Sequence, residues 1–282
     1  MTHIIADSGS TKIDWLILSG KTQTRVQTGG YNPNYASAED FSQSVKQELL
    51  PKIDSEKINR IHFYGAGCSS KINRKATTKL LQTIFSTKNV IVRDDLLGAA
   101  RACCKDKPGI VSILGTGSNC CKYNGKKISF RRISMGYLLA DEGSAYAIGK
   151  AIVRNYINGT LSKKAQRNFF EMYNLTRFDL IPTIYSNNDS HDFIAKFSKF
   201  AHENIADKSV HKLVYQSLDQ FVRKHILSSP NYKKFDCYFV GSIAFHFSDI
   251  LQEVLTHNEL SFGKVLKSPI DEIADFHQNY DF

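Results

Sequence analysis

The residues best suited to chemistry sit in two turns of small side chains. The first is Asp7-Ser8-Gly9-Ser10-Thr11-Lys12 and the second is Gly115-Thr116-Gly117-Ser118-Asn119. Small residues let consecutive backbone N–H groups close around a phosphate, which a turn rich in Cβ atoms obstructs. The hydroxyls of Ser10 and Thr11 add donors. Asp7, at a strand end, can hold Mg²⁺ through water, since magnesium keeps several waters at phosphate sites. Either turn alone is better explained as a tight hairpin. As a pair, each following an apolar strand, they suit the β-phosphate side and the γ side of one nucleotide.

Three further stretches place polar groups at strand ends, where α/β proteins put their chemistry. In Arg93-Asp94-Asp95-Leu96-Leu97 one aspartate can cap a helix while the other accepts a hydroxyl proton. Asp141-Glu142-Gly143-Ser144 also precedes a helical run, and Gly136 and Gly143 suggest a loop held close to something. Gly241-Ser242-Ile243-Ala244 follows an apolar strand and is either a plain turn or a surface on which a flat base meets backbone.

Several classes are excluded by pattern. The chain has no G-x-x-x-x-G-K-[ST], and Gly65-Ala66-Gly67 and Gly115-Thr116-Gly117 both lack the third glycine of a dinucleotide fingerprint. There is no G-x-S-x-G elbow and no nucleic-acid module. The six cysteines form no C-x-x-C pair, and the nine histidines form no pair at metal spacing on a common helix face. A net charge of +10 is spread along the chain without a basic arm, so no nucleic-acid partner is expected. No apolar run reaches the ~18 residues that span a bilayer. With no secretory signal pattern, the expectation is a cytoplasmic protein that does not engage a membrane.

The elements that must position these groups follow from periodicity. Strands are expected at Ile4–Ala6, Ile13–Leu18, Lys21–Thr28, Ile61–Tyr64 and Val90–Val92, with helices over Ala38–Leu50, Lys71–Phe85 and Asp94–Cys104. A second strand, small-residue turn and strand begins at Ile110–Leu114, continues through Cys120–Tyr123 and adds Lys127–Ile133. After residue 142 the chain reads as helical for about ninety residues. Val210, Leu213, Val214, Leu218, Phe221 and Val222 form one apolar face there. Phe235–Val240 is a strand and Pro269–Tyr280 a final helix. The restarted pattern implies an α/β protein of duplicated lobes with a partly parallel sheet.

Read in order, D-S-G-S-T-K, T-G-G-Y-N-P-N, V-R-D-D-L-L-G-A-A-R-A, I-L-G-T-G-S-N, M-G-Y-L-L-A-D-E-G-S-A and V-G-S-I-A resemble the superfamily of acetate and sugar kinases, actin and heat-shock-chaperone ATPases. Within it the chain looks most like the N-acetylglucosamine kinase branch, over residues 7–268. The resemblance implies two ribonuclease-H-like (actin-like ATPase) lobes, each a mixed five-stranded sheet flanked by helices, with a cleft between them. Residues 1–108 joined by the helix 269–282 would form one lobe, and 109–268 the other. It further implies that Ser8 to Lys12 and Gly115 to Ser118 bind ATP phosphates and that Gly241 and Ser242 bind adenosine. Asn32, Gly65, Ala66, Gly67, Asn119 and Asp141 would then meet the sugar, and Asp95 would be the catalytic base, with Mg²⁺ on Asp7. A small-molecule sugar is the implied partner, and a homodimer is the implied assembly.

The function expected from this resemblance is transfer from Mg·ATP to the 6-hydroxyl of N-acetylglucosamine. N-acetylmuramic acid and glucosamine are alternative acceptors, and an activator-type ATPase switch is an alternative class. The chain departs from the family pattern in two places: the first turn carries a single glycine, and Ala140 stands where glycine usually precedes Asp-Glu-Gly-Ser.

Overall fold

The computed structural model describes residues 2–53, 58–186 and 190–280. The chain divides into two compact units, Met1–Pro108 with Tyr123–Ile128 and Ser268–Phe282, and Gly109–Lys122 with Ser129–Lys267. The stretch Tyr123–Ile128 therefore departs from the expected 109–268 lobe and belongs with the first unit. Its attachment has a local cause. The buried Tyr123 hydroxyl donates to the carbonyls of Lys105 and Gly125 at 3.1 and 2.9 Å.

The first unit is built on strands β1 (Thr2–Ser8), β2 (Lys12–Ser19), β3 (Thr22–Gly29), β4 (Ile58–Gly65) and β5 (Val90–Asp94) in the order β3-β2-β1-β4-β5. β1, β2 and β3 form an antiparallel meander, whereas β1, β4 and β5 run parallel. Alternate residues Ile4, Ala6, Ile13, Trp15 and Ile17 enter one core with Phe63, Val92 and Leu81. The Trp15 indole buries its one polar atom by donating to Thr28 Oγ1 at 2.9 Å. Helices α1 (Ala38–Ser44), α2 (Lys71–Phe85) and α3 (Asp95–Cys104) connect or follow the strands. α1 ends earlier than the expected Leu50, because residues Val45–Leu49 widen into a π-turn before Pro51. The C-terminal helix Ile270–Asn279 buries Ile270, Ile273, Ala274 and Phe276 against this unit, a stripe at helical spacing.

The second unit repeats the plan. Strands β6 (Pro108–Leu114), β7 (Ser118–Asn124) and β8 (Ile128–Arg131) are joined by β9 (Cys237–Val240) and β10 (Phe262–Leu266) in the order β10-β9-β6-β7-β8. Read from β8, that is the order of the first sheet. Helices α4 (Gly136–Leu139), α5 (Ala145–Ile157), α6 (Lys163–Tyr173), α7 (Arg177–Ser186), α8 (Ser190–Ala195), α9 (Ser198–Glu203) and α10 (Lys208–Phe221) lie between β8 and β9, as the helical reading after residue 142 expects. α11 (Ser242–His246) and α12 (Ser248–His257) follow β9.

Strand β10 has no counterpart in the sequence reading. It is short and contains Gly263, a poor strand former. Glycine is required there because a Cβ would meet the Tyr238 ring at 2.6 Å. Phe169 is the hub of the helical layer, stacked on Tyr156 and Phe197 and edge-on to Phe200, and fully buried. Phe169→Ala is expected to destabilise the second unit by about 3–5 kcal/mol, readable as an earlier urea midpoint for its unfolding.

Candidate active site

In the first unit the strand register gathers the predicted groups at one edge. Ser8 ends β1 opposite Gly65 on β4, and Gly65 lies opposite Asp94 on β5. At roughly 4.8 Å per strand, the foot of the first turn and the head of α3 are about 10 Å apart. These are carboxyl ends of parallel strands, the usual place for ligands in such sheets.

The first turn is held from behind. The carbonyls of Gly9, Thr11 and Lys12 accept the amides of Tyr31, Gly30 and Gly9 at 3.2, 3.1 and 2.9 Å. Oxygens that would repel an anion are thus engaged within the protein. The contact is so close that a Cβ on Gly30 would lie 2.2 Å from the Ser10 carbonyl oxygen. Ser8 does not present a hydroxyl outward: it is fully buried and donates to the Tyr31 carbonyl at 3.2 Å. Ser10 and Thr11 are exposed. Lys12 is exposed too, with its ammonium on Asp14 at 2.9 Å.

Asn32 is buried and its amide is engaged. Nδ2 donates to the Tyr35 hydroxyl at 2.8 Å, and Oδ1 accepts the Asn34 amide at 3.1 Å. Tyr35 in turn meets Ser10 Oγ at 3.0 Å. Asn73 ties Asn34 Oδ1 to the Gly67 carbonyl, both at 2.8 Å. Gly67 has φ +73, and a Cβ there would strike Asn32 Oδ1 at 2.2 Å. The Ala66 amide donates to Ser8 O at 2.8 Å. The first turn, Asn32 and Gly65–Gly67 therefore form one braced assembly. Tyr35, Asn34, Asn73 and Gly30 belong to it although sequence reading assigned them no role. Tyr35 is 74% exposed, and an exposed loop tyrosine carries no signal in a single sequence.

Asp94 and Asp95 divide as the sequence allowed. Asp94 is buried and caps α3, accepting the Leu96 amide at 3.0 Å, while Asp95 shares that amide at 2.8 Å. Burial, then the neighbouring Asp94 and the more distant Asp7, raise the proton affinity of Asp95 well above that of an ordinary carboxyl. Asp7 behaves similarly: burial first and Asp14 second push it up to about 7, against the Lys12 charge.

In the second unit the second turn is satisfied in the same fashion. Gly115 and Thr116 carbonyls accept the Ala145 and Tyr146 amides of α5 at 2.8 and 3.3 Å, and Gly117 O accepts the Gly115 amide at 3.0 Å. Asp141, at φ +66, sits against this turn, where a Cβ on Gly117 would meet its Oδ2 at 2.8 Å. Burial raises the Asp141 carboxyl although the Ser118 amide bonds to it. Asn119 Oδ1 accepts the Cys120 amide. Glu142 is held by Lys224 and His225 at 2.5 and 3.1 Å. Burial pushes Glu142 up, but those bonds outweigh it and leave the carboxyl below its usual range. Gly241 has φ +115, and a Cβ there would lie 2.3 Å from the Leu114 carbonyl oxygen, at the foot of the second turn. Ser242 is exposed at the start of α11. Gly115–Ser118, Asn119, Asp141 and Gly241–Ser242 are thus neighbours within this unit.

A divalent cation fits Asp7 in a limited way. Its desolvated carboxylate is paired across the strands with Asp14, so excess negative charge is concentrated there. No group of three or more His, Cys, Asp or Glu side chains suited to a metal occurs among the described residues. The donor set therefore suits an ion that retains waters and phosphate ligands, such as Mg²⁺, and not an all-protein cage. All six cysteines are buried, and none forms a disulfide.

Gly30→Ala is expected to displace the first turn. Titration calorimetry with a nucleoside triphosphate should show at least about tenfold weaker binding, with the circular dichroism of a folded protein retained.

No family model matches the chain. The structure is similar to that of a Porphyromonas gingivalis protein provisionally designated an N-acetylglucosamine kinase, with a TM-score of 0.93 and 33% identity over 99% of both chains. It also shares its fold with a ROK family glucokinase from Streptomyces griseus, solved with glucose and AMPPNP, at a TM-score of 0.57 and 14% identity over 98% of both chains. A curated relative, the N-acetylmuramic acid/N-acetylglucosamine kinase of Clostridium acetobutylicum, is 24% identical over 179 residues. That match takes in 61% of this chain and 58% of the relative's length. Two mixed five-stranded sheets of like order, flanked by helices, agree with the ribonuclease-H-like ATPase fold. The chain belongs to the N-acetylglucosamine kinase family of sugar kinases.

Proposed function

We propose that the protein transfers the γ-phosphoryl group of ATP to the 6-hydroxyl of an N-acetylated amino sugar, N-acetylglucosamine first among them. The observation that carries this reading is the row Ser8, Gly65 and Asp94. It places a phosphate turn, the braced Gly65–Gly67 loop and, next to Asp94, the Asp95 carboxylate of raised proton affinity at one sheet edge. Each small-residue turn binds nucleotide phosphates, and Gly241 and Ser242 receive adenosine. Asn119 and Asp141 meet sugar substituents, while Asn32 and the Gly65–Gly67 turn shape the pocket wall.

Asp95 takes the hydroxyl proton as the sugar oxygen attacks the γ-phosphorus in line, and the bond from phosphorus to the bridging oxygen of ADP breaks. Its raised proton affinity makes it the stronger base once ionised. The turn amides hold the phosphates against charge that moves toward the leaving oxygen. Asp7 would hold a hydrated Mg²⁺, which would supply positive charge to offset that of the phosphates.

Asp95→Asn should retain ATP binding by calorimetry yet lose about 10²–10⁴-fold in kcat. Transfer needs Asp95 ionised, so wild-type activity should fall with falling pH through a limb above the ordinary carboxylate range. Stability carries the opposite sign. A carboxyl raised on folding favours the folded state below its unfolded value and loses that advantage as pH rises. Asp95→Asn should accordingly raise Tm at pH 8 and leave it unchanged near pH 3. Near-normal transfer by this variant would sink the assignment.

A second acceptor is favoured by the Clostridium relative, whose name includes N-acetylmuramic acid. A coupled ADP-release assay over N-acetylglucosamine, N-acetylmuramic acid, glucosamine and glucose should give the highest kcat/KM with an N-acetylated sugar. A preference of more than about tenfold for glucose would remove the amino-sugar reading.

A further inference from the structure

Three polar side chains line up across the first unit's sheet. Asp7 on β1 is paired directly with Asp14 on β2, and Asp14 directly with Gln27 on β3. Directly paired residues share a face, as do residues two apart on one strand, so Lys12 joins the same row. Lys12 Nζ lies 2.9 Å from Asp14 Oδ2, and Gln27 Nε2 donates to Asp14 Oδ1 at 2.7 Å. Asp14 is therefore held at both oxygens. No hydrogen-bond donor reaches the Asp7 carboxylate among the described residues. Two carboxylates thus share one ammonium.

That ammonium belongs to the turn assigned to phosphate binding, yet here it is turned onto an aspartate. Lys12 is 55% exposed and Asp14 21%, and ion pairs of such exposure are held weakly. A compact charge on a flexible four-carbon stem can change partner without moving the backbone. We propose that Lys12 is a resident counter-cation. It offsets part of the charge of the Asp7–Asp14 pair in the nucleotide-free protein and is exchanged for a hydrated divalent cation when phosphates arrive, which frees the ammonium to bind them. Gln27 keeps Asp14 in place through the exchange. The inference rests on the kinase reading, because it takes the arriving anion to be a nucleotide.

Two carboxylates suit the exchange. Mg²⁺ keeps most of its water and needs only one or two protein carboxylates beside phosphate oxygens. Swapping one ammonium for one divalent ion at the pair, while the ammonium moves to the phosphates, keeps opposite charges adjacent throughout.

The test uses Mg²⁺ alone, without nucleotide or sugar. In the wild type Lys12 competes for the carboxylates, so MgCl₂ at about 10 mM should barely move Tm relative to KCl of equal ionic strength. Lys12→Met removes the competitor and should gain a Mg²⁺-dependent rise larger by at least about 3 °C. Lys12→Gln should behave likewise, which covers the case in which one variant folds poorly. Lys12→Met/Asp14→Asn should lose the rise. A Mg²⁺ response of Lys12→Met equal to wild type, or one that persists in the double variant, overturns the exchange. Because this readout involves neither ATP nor sugar, an inactive protein with the expected Mg²⁺ response would sink the kinase reading alone. An active kinase without that response would sink the exchange alone.

Discussion

A turn of small residues can hold an anion only if its own carbonyl oxygens are satisfied somewhere else. Most of the architecture around both turns follows from this requirement. In the first unit a second segment, Gly29 to Asn34, is drawn against the turn so that the Gly30 and Tyr31 amides can serve the carbonyls of Thr11 and Gly9. In the second unit the start of α5 does the same for Gly115 and Thr116. Backbone also meets backbone beside both turns, where Gly30 lies on the Ser10 carbonyl and Gly241 on the Leu114 carbonyl, contacts that only glycine tolerates. The positions of the N-P-N loop and of the start of α5 are consequences of closing the turns.

The second constraint is charge. Asp7, Asp95 and Asp141 are each desolvated, and burial is the first cause of the raised proton affinity in all three. Keeping such carboxylates ionised at neutral pH works against folding. Nothing in the packing requires acids there, since an amide would fit the same volume. Groups that oppose stability at strand ends are the pattern expected where ligands, cations or transferable protons supply the missing partner. Glu142, by contrast, has Lys224 and His225 beside it and acts as a structural anchor for the loop that carries Asp141.

How much was legible in the sequence depended on whether the determinant was local. The strands from Ile4 to Leu18, the cap at Asp94 and the helices α2 and α3 follow from periodicity and capping chemistry within a few residues. The repeated strand, turn and strand was visible for the same reason. β10 escaped because Gly263 answers to Tyr238, a side chain of another strand. The π-turn after α1 and the transfer of Tyr123–Ile128 to the first unit likewise depend on distant partners.

The site divides along the same line. The sequence by itself determined which turns could close on phosphate and that Asp94 and Asp95 begin a helix, because backbone freedom and capping are properties of neighbouring residues; it did not show that Ser144, not Asp141 or Glu142, caps α5. Only the tertiary structure decided what those side chains do. It buried the Ser8 hydroxyl under Tyr31 and engaged Asn32 with Tyr35. It also laid Asp141 on Gly117 and turned Lys12 toward Asp14. The Ser8 and Asp141 contacts join segments far apart in the chain, which the spacing of a motif does not encode. The Asn32 and Lys12 contacts are short in sequence, but they depend on the loop and strand geometry that sets which side chains face one another.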